Sequence, residues 1–243
     1  MKQMDEAFRK KCISKGGSYL EKRRSIGGVG AGIVAGSAVL LAAAILLLLM
    51  MAASGNADLI VMGVVLGGGI SLFCLAFILL GIFMNKKRRA GYMEYFVKHT
   101  GYSKEELEAF DREVLLPDSL YSTTDGKLRS NSALACDLVT RNWLSMAIHE
   151  PVRVTDVAVA FYADEVAYAS NKWEHVMFVL LSHGELVHQQ CKEEYAMDLI
   201  QELKKRNPGL ICSRCFKVDG KLVDCIKEPK QAARLYCEAM GAR

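Results

Sequence analysis

Charge is missing from two long stretches of this sequence. No Asp, Glu, Lys or Arg occurs from Ile26 to Ala53 or from Leu59 to Met84, and a polar connection, residues 54–58, joins the two stretches. A helix of about 20 apolar residues crosses a bilayer, so each stretch is long enough to span a membrane. The chain of 243 residues has too little other sequence to bury both helices in a soluble core. The sequence therefore predicts a transmembrane helical hairpin.

Ionisable side chains are also absent from the interior of both predicted spans. Transport pathways and proton relays through a membrane usually depend on such side chains. We therefore interpret the hairpin as an anchor and not as a pore, with the lipid bilayer as a partner.

Basic residues flank the hairpin on both sides. Eight Lys or Arg precede the first span, the run Lys86–Arg89 follows the second, and the connection 54–58 has none. Basic residues are retained on the cytoplasmic side of a membrane. This pattern predicts a two-span protein of the cell membrane with both termini in the cytoplasm. The same clusters could recruit anionic lipids, although topology alone explains them.

The rest of the chain lacks an excess of basic residues. From Ala90 onward the sequence has 19 basic and 23 acidic residues. A nucleic-acid-binding domain needs a basic face to neutralise phosphates. We therefore expect no nucleic-acid partner.

Glycines recur at intervals of four in both spans. Gly28, Gly32 and Gly36 stack on one face of the first predicted helix, and Gly63 and Gly67 do so on the second. Small residues at this spacing let helix backbones approach closely. The glycine faces are expected to pack the two spans against each other, with self-association of two chains as the alternative use.

Composition divides the chain into five segments. These are a basic cytoplasmic leader (1–25), the transmembrane hairpin (26–84), a juxtamembrane helical collar (85–118), a β domain with a closing helix (119–206), and a tail with a terminal helix (207–243). The leader is predicted to be either a membrane-surface helix or disordered. In the collar, Ser103 and Glu106 have the spacing of a capping box at a helix start.

Alternating and β-branched apolar residues predict strands after Ser119. We expect two short strands in residues 134–146, one irregular strand in 152–161, and a hairpin formed by 175–181 and 185–191. Asp164 and Glu165 are interpreted as a loop. Trp143 and Trp173 are interpreted as core or membrane-proximal anchors.

An amphipathic helix is predicted from Lys192 to Arg206. Its apolar face consists of Tyr195, Leu199, Ile200 and Leu203. Beyond it we expect a hairpin about Asp219 and a last helix from Pro229 to Met240, because proline is favoured in the first turn of a helix. The expected fold class is α+β: a transmembrane helical hairpin followed by a cytoplasmic, helix-capped antiparallel β domain.

Residues 119–206 resemble the pleckstrin-homology-like domains of bacterial membrane proteins. The similarity rests on the hairpin sequence LVTRNWL at 138–144, the strand VRVTDV at 152–157 and the turn LSHG at 181–184. The chain departs from that pattern in its tail and in having fewer than seven clear strands. The resemblance implies a partial barrel capped by a helix and a binding or assembly role without catalysis.

Four cysteines in the tail are the only candidates for a metal site. Cys212 and Cys215 form a C-x-x-C pair, and Cys225 and Cys237 follow. Four thiolates can hold Zn²⁺, but a second close pair is missing, and a redox pair lacks the strand–helix context of thioredoxins. We therefore favour unligated thiols over structural zinc or a redox pair.

Catalytic signatures are absent as well. The sequence has no nucleophile elbow and no glycine-rich phosphate loop, and its five histidines lack metal-ligand spacing. We therefore expect no catalytic residue, no cofactor and no enzyme. The sequence predicts a membrane-anchored cytoplasmic binding or assembly module that contacts a protein partner or the membrane surface. The alternative is an accessory subunit whose C-x-x-C tail senses metal or redox state.

Overall fold

The structure is a computed structural model of the chain and describes residues 1–26, 29–55, 57–123, 127–129, 132–218 and 220–241. Two compact units are present: Leu20–Tyr95, and Met1–Tyr19 together with Phe96–Arg243. The α+β prediction is confirmed, since two long apolar helices are followed along the chain by antiparallel sheets. Three residues of predicted features lie outside the described residues: Gly28 of the first glycine face, Asn56 of the connection 54–58, and Asp219 of the tail hairpin.

Outside the hairpin, groups of helices and groups of strands follow one another along the chain. The helices of the described residues are α1 (Glu6–Cys12), α2 (Tyr19–Ser25), α3 (Val29–Ala53), α4 (Ala57–Ala90), α5 (Tyr92–Thr100), α6 (Lys104–Val114), α7 (Glu193–Arg206) and α8 (Pro229–Gly241). The strands are β1 (Lys2–Gln3), β2 (Leu120–Thr123), β3 (Cys136–Val139), β4 (Trp143–Ser145), β5 (Val152–Arg153), β6 (Val157–Tyr168), β7 (Asn171–Leu181), β8 (Leu186–Gln190), β9 (Cys215–Val218) and β10 (Lys221–Asp224).

Helices α3 and α4 form the predicted antiparallel pair. Their segments Gly32–Ala53 and Val61–Ala90 are long and apolar enough to cross a membrane, and little of either segment is buried. The buried positions Ser37 and Ala44 on α3 are seven residues apart, as are Gly67 and Cys74 on α4. A spacing of seven marks a single seam along each helix, as in left-handed helix pairs.

The glycine faces pack differently from the prediction. A Cβ atom on Gly67 would lie 2.6 Å from Leu48 Cγ, and one on Gly63 would lie 3.0 Å from Met51 Sδ. Gly32 and Gly36 have no atom within 4 Å of such a Cβ position, so their face points away from α4. Residues 36 and 37 differ by about 100° around a helix. Because Ser37 faces α4, Gly36 faces away from it.

The N-terminal segment is packed, which differs from both predictions made for the leader. Lys2 pairs with Tyr121, so β1 extends the first sheet. In α1, the side chains of Phe8 and Cys12 are fully buried, and the Phe8 ring lies 4.7 Å from that of Tyr121. Local composition is basic and sparse in apolar residues, but both side chains are buried, and Phe8 packs on a residue distant in the sequence.

Two antiparallel sheets form the centre of the larger unit. The first has the order β1-β2-β3-β4-β5 and the second the order β6-β7-β8. The prediction of one irregular strand over 152–161 is wrong: a 3₁₀ turn, Val154–Asp156, separates β5 in the first sheet from β6 in the second. The prediction of a loop at Asp164 and Glu165 is wrong: both lie within β6, which continues to a turn at Ala169 and Ser170 with positive φ.

Helix α7 closes one face of the second sheet, as predicted. Ala196, Leu199, Ile200 and Leu203 are buried in a core with residues of both sheets, among them Val139 and Met177. The opposite face of the same sheet is covered by β9, β10 and α8, through side chains such as Leu235 and Tyr236. Apolar residues on both faces explain the continuous apolar run of β7. The tail is therefore part of the core.

Candidate binding grooves beside an edge strand

Strand β8 is an edge strand of the second sheet. It pairs with β7 on one side, with Phe178 opposite His188 and Met177 opposite Gln189, and no other strand of the described residues pairs with its other side. Edge strands present unpaired backbone groups to which an extended segment can add. One open groove is lined by the last three residues of β8, His188 to Gln190, and a second lies at the end of the strand, where Gln190 lines both grooves.

The first groove, called the apolar groove here, has a volume of about 420 Å³. Its lining is Leu134, Ala135, Ala147, Ile148, Trp173, His188, Gln189 and Gln190. Ile148 is 54% exposed, and the Trp173 and His188 rings meet edge to face at 4.9 Å. Such a surface can accept an apolar side chain from a partner.

A buried polar cluster underlies the apolar groove. Asp137 is fully buried and accepts hydrogen bonds from Gln189 Nε2 at 2.9 Å, the Tyr195 hydroxyl at 2.5 Å and the Ala147 backbone N–H at 2.7 Å. Gln189 Oε1 is buried and has no hydrogen-bond partner among the described residues. A buried acceptor without a donor is costly, so this atom is suited to a donor brought by a ligand.

The second groove, called the polar groove here, has a volume of about 660 Å³. Its lining is Tyr162, Asp164, Glu174, His175, Gln190, Cys191, Lys192 and Glu193. The Tyr162 hydroxyl and His175 Nδ1 are hydrogen-bonded at 2.7 Å. His175 has φ of 55° within a strand, a strained conformation that clusters at functional sites.

The polar groove is negatively charged. Asp164, Glu174 and Glu193 contribute three carboxylates, against one ammonium group from Lys192. Desolvation and the neighbouring Asp164 carboxylate raise the pKa of Tyr162, so its hydroxyl stays protonated at neutral pH. The groove is therefore complementary to a basic side chain.

Cys191 is the nucleophile candidate of the polar groove. Burial raises the pKa of its thiol to about 11. The thiolate is the reactive form of cysteine, and at neutral pH this thiol is almost entirely protonated. Cys191 and His175 both line the groove, but the protonated thiol is a poor nucleophile at neutral pH.

No known protein family, curated protein or solved structure matches this chain. The grooves are therefore interpreted from their own chemistry.

The tail cysteines occupy separate environments. Cys212 and Cys237 are exposed, whereas Cys225 is fully buried, and burial raises the pKa of its thiol to about 12. Cys215 lies in the β9–β10 hairpin opposite Asp224. In the part of the chain that the structure describes, no three His, Cys, Asp or Glu residues are grouped as metal ligands.

The histidines of the β7–β8 hairpin do not converge. His175 lines the polar groove, His188 lines the apolar groove, and His183 lies 3.2 Å from Glu185. Trp143 is fully buried in the core, while Trp173 lines the apolar groove. Sequence reasoning missed both grooves, because their linings come from separate stretches of the chain. The local signal was a polar residue, Gln189, on the same face of β8 as the apolar Val187.

Proposed function

We propose that this protein is a non-catalytic membrane-anchored module whose cytoplasmic β unit binds an extended segment of a protein partner along β8. The observation that carries this proposal is the edge strand β8, with the apolar groove beside it and the polar groove at its end. Main-chain pairing to an edge supplies affinity, and grooves that take alternate side chains supply specificity. A segment that carries an apolar side chain next to a basic one suits the two grooves.

Anchoring in the cell membrane is supported by the exposed apolar side chains of α3 and α4. In water, such a surface would associate or aggregate, whereas a bilayer solvates it. The basic residues before α3 and at the end of α4 favour a cytoplasmic location for both termini. The β unit would then lie in the cytoplasm.

The pleckstrin-homology-like assignment is supported by strand order. Between residues 119 and 206, the four antiparallel strands β2–β5 are followed by the three strands β6–β8 and then directly by α7. Seven strands closed by a helix is the arrangement that the resemblance implies. A binding role without catalysis accompanies that assignment and agrees with the protonated Cys191 thiol.

The alternative, a metal- or redox-sensing tail, has less support. Among the described residues the four tail cysteines form no ligand group, and the high pKa of Cys225 disfavours thiolate chemistry. We therefore place the binding role in the grooves and not in the tail.

Site-specific photocrosslinking tests the groove. A photoreactive amino acid at Gln190, introduced into the full chain in its native membranes, should give a discrete protein adduct. The same amino acid at the exposed Gln201 on α7 is the position control. Glu174→Arg should abolish the adduct by reversing the charge of the polar groove, whereas Glu108→Arg, on the exposed face of α6, should leave it intact. An adduct of equal yield in both variants would refute the groove as the binding surface.

A further inference from the structure

Two arginines from separate helices lie together in the unit Leu20–Tyr95. Arg24 belongs to α2, and Arg88 lies in the last turn of α4. The Arg24 guanidinium carbon lies 3.6 Å from the centre of the Tyr95 ring. Both Arg24 and Tyr95 act electrostatically on Arg88. The chain thus concentrates two positive charges at one end of the hairpin.

Neither arginine has an acidic partner among the described residues. Arg88 Nε is buried without a hydrogen-bond acceptor, and the charged or ionisable groups that act on Arg88 are Arg24 and Tyr95. By contrast, Arg153 and Arg214 each have a carboxylate within about 3 Å. A buried guanidinium N–H without an acceptor is costly, so Arg88 is suited to an anion brought by a ligand, and the nearby positive charge of Arg24 would favour the same anion.

Position in the hairpin indicates which anion this is. Arg24 precedes α3 and Arg88 ends α4, so both lie at the end of the hairpin where the flanking basic residues lie. In a membrane, that end is at the level of the lipid headgroups, where Tyr is also enriched. The guanidinium fork fits two phosphate oxygens at once.

We propose that Arg24 and Arg88 form a binding site for the headgroup phosphate of an anionic lipid. This inference rests on the membrane anchoring proposed above, but not on the grooves. It differs from a general attraction of basic flanks to the bilayer, because Lys86, Lys87 and Arg89 are exposed and carry the same charge. The site requires two particular arginines and not merely their charge.

Lipid retention by the full chain provides the test. The protein is purified in detergent, mixed with phosphatidylglycerol or with zwitterionic phosphatidylcholine, and examined by native mass spectrometry. Wild type should retain one phosphatidylglycerol in preference to phosphatidylcholine. Arg24→Gln and Arg88→Gln should each reduce that retention about tenfold or more, since a hydrogen bond between charged groups is lost. Arg89→Gln removes the same charge and should reduce it less than about twofold.

Further measurements decide three questions: whether the guanidinium geometry matters, whether the bound phosphate belongs to a lipid, and whether the protein is anchored in a membrane. Arg88→Lys keeps the charge but not the fork and should restore only part of the retention. Thermal stabilisation by inorganic phosphate equal to that by phosphatidylglycerol would overturn the lipid assignment. Equal losses in Arg88→Gln and Arg89→Gln, with unchanged far-ultraviolet circular dichroism, would overturn the site. Failure to float with phosphatidylcholine vesicles would instead contradict the anchoring.

Discussion

The hydroxyl of Tyr195 donates a hydrogen bond to Asp137 Oδ2 over 2.5 Å, which ties α7 to the buried strand β3. Asp137 is fully buried, and a buried carboxylate is tolerated only where donors surround it. Desolvation and the Asp137 charge raise the pKa of Tyr195, so the hydroxyl remains a donor at neutral pH. The closing helix is thus attached by a polar contact as well as by its apolar face.

Removal of the Tyr195 hydroxyl should destabilise the larger unit, Met1–Tyr19 with Phe96–Arg243. Tyr195→Phe leaves the Asp137 carboxylate with fewer donors, and we expect a loss of about 1.5–3 kcal/mol in the free energy of unfolding. Unfolding in urea can be followed by tryptophan fluorescence, because Trp143 and Trp173 both lie in this unit. Tyr162→Phe removes a hydroxyl from the open polar groove and should cost less than about 0.5 kcal/mol. Equal losses of unfolding free energy in Tyr195→Phe and Tyr162→Phe would contradict a stabilising role of the buried hydrogen bond between Tyr195 and Asp137.

The apolar face of α7 should contribute more than its exposed face. Leu199 is fully buried, and Leu199→Ala should cost about 2–5 kcal/mol, because it leaves a cavity in the core. Gln201→Ala, on the exposed side of the same helix, is the matched control and should be close to neutral. Glu202 is a poor control, since it lies within 4 Å of both Lys205 and Arg206. Chemical denaturation compares the variants, and similar midpoints would mean that α7 does not close the sheet.

The two glycine faces of the hairpin should respond oppositely to a large side chain. Gly67→Leu places atoms where the Leu48 side chain lies and should destabilise the helix pair by about 1–3 kcal/mol. Gly36→Leu meets open space and should change stability little. Melting of the full chain in detergent, followed by circular dichroism, distinguishes the two. A larger effect at Gly36 would point to self-association through the α3 glycine face.

The connection between α3 and α4 should face the outside of the cell. A cysteine at the exposed Ser54 should react with a membrane-impermeant maleimide on intact cells. The naturally exposed Cys212 and Cys237 should react only after lysis, because the basic flanks keep both termini inside. Cys12 is fully buried and reports nothing in this assay. Labelling of Cys237 on intact cells would reverse the predicted orientation.

Features encoded within one helix or hairpin were predictable from the sequence. The length and composition of α3 and α4, the Ser103–Glu106 capping box and the apolar face of α7 are all present in the structure. Each depends on residues within a few turns of one another, so periodicity and capping chemistry are sufficient to predict them.

Features that join distant segments were not predictable. The sequence alone determined the apolar hairpin, the α+β class and the amphipathic α7, because local spacing specifies them. Only the tertiary structure decided that α1 packs beside β2, that Gly36 faces away from α4, and that Arg24 stacks on Tyr95. Those outcomes depend on which faces remain to be buried once the other elements have packed, and no local pattern of residues records that choice.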